Sequence, residues 1–174
     1  MVIIKENAFN EDGLFEMDNI VENFTVNEKR GVVVITNENK SYFNEYNAQF
    51  VELNDNFKQH IINVIDEMLP NNKGIKIDYC RVNVVTVGTN ESDPFHTDIG
   101  HDAILLIYPN EDFIGGDLEW IDNNKINSLK PKRNMCALIV DNSPHRVIKV
   151  KEGVRYCIAV FCKTNRGEKK KSLM

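Results

Sequence analysis

The sequence predicts a mainly β protein, a double-sheet β core with one long helix packed outside it. Two patterns carry that expectation. From Ile75 onward, the runs 75–86, 103–108, 118–121, 135–140, 146–150 and 154–162 are apolar or alternate with period two. Clusters of Gly, Pro, Asn and Asp separate them at the spacing of a β-sandwich or barrel. Before them, Phe50, Leu53, Phe57, Ile61, Val64 and Met68 recur every three or four residues, so 44–69 reads as an amphipathic helix. At 174 residues, with no internal repeat and no linker, one domain over 1–174 is expected. Its parts are a helical support over about 44–69, a β core over about 75–163 and a basic tail over 164–174.

Taken in order, residues 1–31 offer few signals beyond the turn pair Asp12-Gly13. Val32 to Thr36 is a β-branched run between Gly31 and Asn37, which suits a buried strand. Asn44 is the expected helix N-cap, and Pro70 with Asn71-Asn72-Lys73-Gly74 ends the helix. His60 falls beside the apolar stripe and reads as a boundary residue. In the last strand, Arg155, Cys157, Ala159 and Phe161 share one face, and Tyr156, Ile158, Val160 and Cys162 the other. The pair Gly115-Gly116 lacks the strand–loop–helix setting of a phosphate cradle and is read as a tight turn or bulge. Trp120 is read as a core or rim aromatic.

Charge narrows the function. The chain carries −5, but the segment from Lys163 holds five basic residues against one acid, so residues 1–162 hold 16 basic against 25 acidic residues, a net −9. Such a body argues against a nucleic-acid partner, which needs clustered Lys and Arg. The apolar runs are too short for a secretory signal or a membrane span, so a soluble, cytoplasmic protein is expected, with no membrane partner. Cys80, Cys136, Cys157 and Cys162 form no CxxC pair and are read as structural thiols.

The chemistry gathers around Pro94-Phe95-His96-Thr97-Asp98. His96 and Asp98 are two apart on an extended segment, so both side chains face one way and can reach one cation. A second imidazole from His145 would give the two-histidine, one-carboxylate set that leaves positions open on a non-haem iron. Arg155 follows ten residues later among small apolar neighbours. A buried guanidinium there needs an anion, either an internal salt bridge or a bound carboxylate. Past Gly100 the chain should turn, which sets His101 beside the site or on the surface.

With these residues in this order, the sequence resembles the Fe(II)/2-oxoglutarate-dependent dioxygenases, in their prolyl 4-hydroxylase-like branch. The resemblance spans about residues 79–163. It rests on His96-Thr97-Asp98, the strand from Ile104 to Asn110, Gly115 to Trp120, Asn142 to Val147, and Gly153 to Tyr156. It implies a double-stranded β-helix (jelly-roll, cupin-like) core. It further implies hydroxylation of a C–H bond with 2-oxoglutarate and O2 as co-substrates, succinate and CO2 as co-products, and ascorbate as a supporting reductant. Fe(II) would sit on His96, Asp98 and His145, and the distal carboxylate of 2-oxoglutarate on Arg155.

The same resemblance bears on the neighbours. Tyr108 either donates its hydroxyl to that carboxylate or is a plain strand aromatic. The tyrosine often found about ten residues before the HxD motif is missing at Thr86-Val87, and Tyr79 is the substitute. Asp98, in place of Ala or Gly, leaves no halide position and favours hydroxylation over halogenation. Phe161 stands where demethylases of alkylated nucleic acids carry a further arginine, a second argument against nucleic acid. The expected substrate is a peptide-borne proline, then a free amino acid or small molecule. A cupin-like metal-binding module without turnover is the rival, and it leaves Arg155 without a purpose.

Overall fold

The computed structural model describes residues 1–22, 24–27, 32–35, 48–71, 74–87 and 94–164. Its main sheet has six strands: β1 (Val2–Lys5), β4 (Ala48–Val51), β5 (Ile75–Thr86), β6 (Ala103–Tyr108), β10 (Met135–Val140) and β13 (Val154–Thr164). They run antiparallel in the order β1-β10-β6-β13-β5-β4. Facing it are a three-stranded sheet, β11 (His145–Val147), β8 (Leu118–Asp122) and β9 (Lys125–Leu129), and the short pair β12 (Val150–Glu152) and β7 (Ile114–Gly115). The predicted double-sheet β core is thus what forms, with β5, β6 and β10 at the expected limits.

Two apolar layers result. One lies between the sheets and contains Leu106, Tyr108, Leu118, Ala137, Cys157, Ala159 and Phe161. The other lies on the outer face of the main sheet, where Val82, Leu105, Leu138, Ile158 and Val160 meet Met17, Phe57 and Ile61 from two helices. Strands β6 and β10 are buried at every position. That is why AILLIY and MCALIV are continuous apolar runs: a strand covered on both faces has no solvent side to alternate with. All four cysteines are free and buried. Burial pushes the thiols of Cys80, Cys136, Cys157 and Cys162 up, the last to about 12.

The helical half departs from expectation. Helix α2 runs Asp55–Met68, not 44–69. The stretch 48–51 is instead edge strand β4, with Phe50 opposite Arg81. Phe50 therefore joined the three-to-four repeat by coincidence. Asn54 is the cap, its side chain accepting from the Phe57 amide at 2.8 Å, and Leu69 before Pro70 closes the last turn on Ile65 O. Phe57, Ile61, Val64 and Ile65 form the buried stripe. Asn44 lies outside the described residues, as do Thr36 and tail positions 165–174.

A second helix, α1 (Glu11–Glu22), was not expected. Asn10 caps it through the Gly13 amide at 3.1 Å, and Glu11 and Asp12 favour its N-terminal dipole. Its partner is α2: Asp12 meets His60 Nε2 at 2.7 Å and Glu16 accepts from Asn54 at 2.6 Å. His60 is thus a boundary residue between helices. The expected strand at Val32 is β3 (Val32–Ile35), paired with β2 (Phe24–Asn27) in its own hairpin, whose side chains are outside the described set. Among the described residues no helix is long and apolar enough to cross a membrane.

Candidate metal centre and anion pocket

Between the two sheets lies a cavity of about 360 Å³. Its floor is set by strand register: Val85, Asn83 and Arg81 on β5 lie opposite Arg155, Cys157 and Ala159 on β13. These residues line the cavity, with Leu106 of β6 and Leu118 of β8.

The metal-ligand candidates come from a different pair of segments. His96 and His145 form an isolated antiparallel bridge, exchanging two backbone hydrogen bonds of 3.0 Å. The main chain thereby sets the two rings side by side, with centroids 4.6 Å apart. Asp98 follows, its Oδ2 at 3.1 Å from His145 Nε2. Donor atoms of His96, Asp98 and His145 all lie within 4.8 Å of one another. Each ring is also oriented from behind: Nδ1–H of His96 donates to Pro94 O at 3.0 Å, and that of His145 to Ser143 O at 2.9 Å. This turns both Nε2 atoms toward the shared point, where each imidazole, when neutral, can offer its lone pair, the arrangement metal-binding histidines use. Burial pushes the Asp98 carboxyl up, but the hydrogen bond and charge of His145, with His96 and Arg81, outweigh it and hold it below the usual carboxylate range.

At the other end, Arg155 is 1 % exposed. Its Nε donates to Gly116 O at 2.8 Å, while Nη2 is buried without a hydrogen-bond partner. Gly115 and Gly116 both have positive φ, as a tight turn demands, and a Cβ on Gly116 would come within 2.7 Å of Arg155 Cδ. Glycine is needed there because the turn closes directly onto the guanidinium stem.

No protein-family model matches this sequence, and no curated protein does. Solved structures do. A 2OG-Fe(II) oxygenase-family oxidoreductase from Burkholderia pseudomallei superposes with a TM-score of 0.68 at 12% identity, over 93% of this chain and 84% of that one. A prolyl hydroxylase from Trichoplax adhaerens, in complex with a hypoxia inducible factor oxygen degradation domain peptide fragment, gives 0.63 at 16% identity over 99% and 86%. The non-heme alpha ketoglutarate dependent epimerase SnoN of nogalamycin biosynthesis gives 0.67 at 6% identity over 94% and 77%. The fold is that of the 2OG-Fe(II) oxygenases. The jelly-roll core expected of the chain is therefore present.

Within the 2OG-Fe(II) oxygenase fold, the donor set suits the metal. The 3.1 Å between His145 Nε2 and Asp98 Oδ2 is close to the ligand separation across a right angle on a cation with bonds of about 2.1 Å. Two imidazoles and one carboxylate are the set that suits Fe(II) with open positions. The orphaned Nη2 of Arg155 suits a carboxylate, since an unsatisfied buried donor is costly and a planar anion takes two of its hydrogens.

Other predicted residues are placed less centrally. Tyr108 is fully buried, its ring 5.4 Å from the Arg155 guanidinium. Its hydroxyl makes no full hydrogen bond; burial pushes its pKa up, and Arg155 pulls weakly the other way. That places it beside the anion pocket. Tyr79 is not brought to Arg155. It is six residues from Val85 along β5, roughly 20 Å at strand spacing, and stacks on Phe161 at 4.5 Å. His101 lies beside the ligand set, near Asp78 at 3.4 Å and edge-on to Tyr79. Trp120 pairs with His145 across β8 and β11 and packs, partly buried, against the apolar layer between the sheets.

Two cavity residues went unnoticed in the sequence. Arg81 and Asn83 face the cavity from β5, and Arg81 Nε and Asn83 Oδ1 are buried without partners. Their alternation with Cys80, Val82 and Val84 was visible. Nothing local marks that face as a cavity wall, because the sheet covering it comes later in the chain.

Proposed function

We propose that this protein is an Fe(II)- and 2-oxoglutarate-dependent dioxygenase that hydroxylates a C–H bond, with a prolyl residue in a peptide as the first substrate class. The observation that carries this is the pairing, in one cavity, of the His96–Asp98–His145 cluster with an unsatisfied buried arginine. A metal-binding module explains the cluster and not the arginine.

Iron(II) with 2-oxoglutarate and O2 would supply an oxidation of the C–H bond coupled to formation of succinate and CO2. The chain's own residues do the rest. His96, Asp98 and His145 would hold the metal with two imidazoles and one carboxylate, a set that leaves positions for the co-substrates. Arg155 grips the distal carboxylate of 2-oxoglutarate, with Gly116 O holding Nε so that Nη2 and its neighbour point into the cavity. Leu106, Leu118 and Val147 keep water from the space between.

Purified protein with Fe(II), ascorbate and 2-oxoglutarate is expected to release succinate slowly even without substrate. Asp98→Ala should remove that release; no difference between the two proteins would favour the non-catalytic module. A second expectation concerns the turn. Gly116→Ala places a methyl against Arg155 Cδ, at a cost of about 1–3 kcal/mol. It should lower Tm and weaken 2-oxoglutarate binding about tenfold, and a variant indistinguishable from wild type would mean that the turn does not position the arginine. Screening peptides and amino acids for stimulated decarboxylation would identify the substrate.

A further inference from the structure

The cavity holds a second guanidinium that the co-substrate does not need. Arg81 lies on the same β5 face as Asn83 and Val85, four residues from the position opposite Arg155, about 13 Å along the strand. Its Cζ sits 4.8 Å above the Phe161 ring. Among the described residues it makes no salt bridge, and its Nε is buried without a partner. It is half-buried and lines the same cavity as Asp98, opposite Ala159 rather than beside Arg155.

Charge balance then separates the two arginines. A divalent metal, the Asp98 carboxylate, the 2-oxoglutarate dianion and the Arg155 guanidinium together sum to neutrality. Arg81 adds one positive charge that nothing described in the cavity offsets. A guanidinium in partial contact with apolar walls and an aromatic face is a ready receptor for one planar anion, held by two parallel hydrogen bonds.

We propose that Arg81 is the substrate anchor, and that the substrate carries a carboxylate close to the C–H bond that reacts. This rests on the dioxygenase reading above and narrows it. The carboxylate could belong to a free amino acid or to an acidic residue beside a proline in a peptide. Asn83, whose Oδ1 is unpartnered, can accept from the amide or amine next to that carboxylate.

The test is binding to Mn(II)-loaded full-length protein with 2-oxoglutarate, by calorimetry, using four probes: L-proline, L-prolinamide, acetyl-Pro-Asp-amide and acetyl-Pro-Asn-amide. At least one carboxylate is expected to bind tenfold or more tighter than its neutral amide. Arg81→Gln should erase that difference and Arg81→Lys keep part of it, while 2-oxoglutarate affinity stays within about threefold. Which pair shows the preference tells free amino acid from acidic peptide. Wild type with no preference for either carboxylate, whether or not the probes bind, overturns the proposal. So does a loss of 2-oxoglutarate affinity in Arg81→Gln, which would assign Arg81 to the co-substrate. Failure of wild type to bind 2-oxoglutarate at all would instead refute the dioxygenase reading.

Discussion

Arg155→Met is expected to weaken 2-oxoglutarate binding at least a hundredfold and to leave metal binding nearly unchanged. Removing one partner of a buried, hydrogen-bonded charge pair costs about 2–5 kcal/mol, and each 1.4 kcal/mol is about a factor of ten. Arg155 meets the conditions for the upper part of that range: it is 1 % exposed, held by Gly116 O, and has an orphaned Nη2. The same substitution should raise the Tm of the ligand-free protein. An unpaired buried charge is a burden in the empty pocket, and an apolar side chain of similar length removes it. Opposite signs for stability and binding would separate this arginine from one held in a structural ion pair, whose loss lowers stability. Unchanged co-substrate affinity would end the anchor assignment.

Removal of His145 should act on the metal instead. His145→Ala is expected to lower Fe(II) or Mn(II) affinity about a thousandfold, roughly 4 kcal/mol, because it deletes a ligand whose lone pair is aimed by its own bond to Ser143 O. The single tryptophan, Trp120, lies opposite His145 in the β8–β11 pair, so its fluorescence offers a direct titration signal in wild type. Equal affinity in the variant would put the third ligand elsewhere. His101 would be tested next, since its Nδ1 is buried without a partner.

What could be seen in the sequence followed from how much of each signal was local. His96 and Asp98 are two apart in one extended segment, and β6 and β10 are uninterrupted apolar runs, so both were legible without knowing their neighbours. Arg155 stood out because its own strand face is otherwise small and apolar. Arg81 did not, although it faces the same cavity, because Asp78, Arg81 and Asn83 make β5 look half solvated. Only the arrival of β8 and β11 turns that face inward. Helix α1 has one cap and two buried residues, Gly13 and Met17, of which only Met17 carries a side chain, too few to set a period. Strand β4 was absorbed into the helix because Phe50 fell at a permitted spacing, and tertiary pairing with β5 overrode the repeat. Strand β7 spans two residues and β9 has no buried position, so neither could announce itself.

The backbone bridge between residues 96 and 145 has one more consequence. Where a cation draws scattered ligands together, as in zinc fingers, stripping it unravels the fold. Here two of the three proposed ligands are already tied by their own peptide groups, so the site is a template and not a loose clasp. Chelation should silence the chemistry while leaving the scaffold ready to be reloaded.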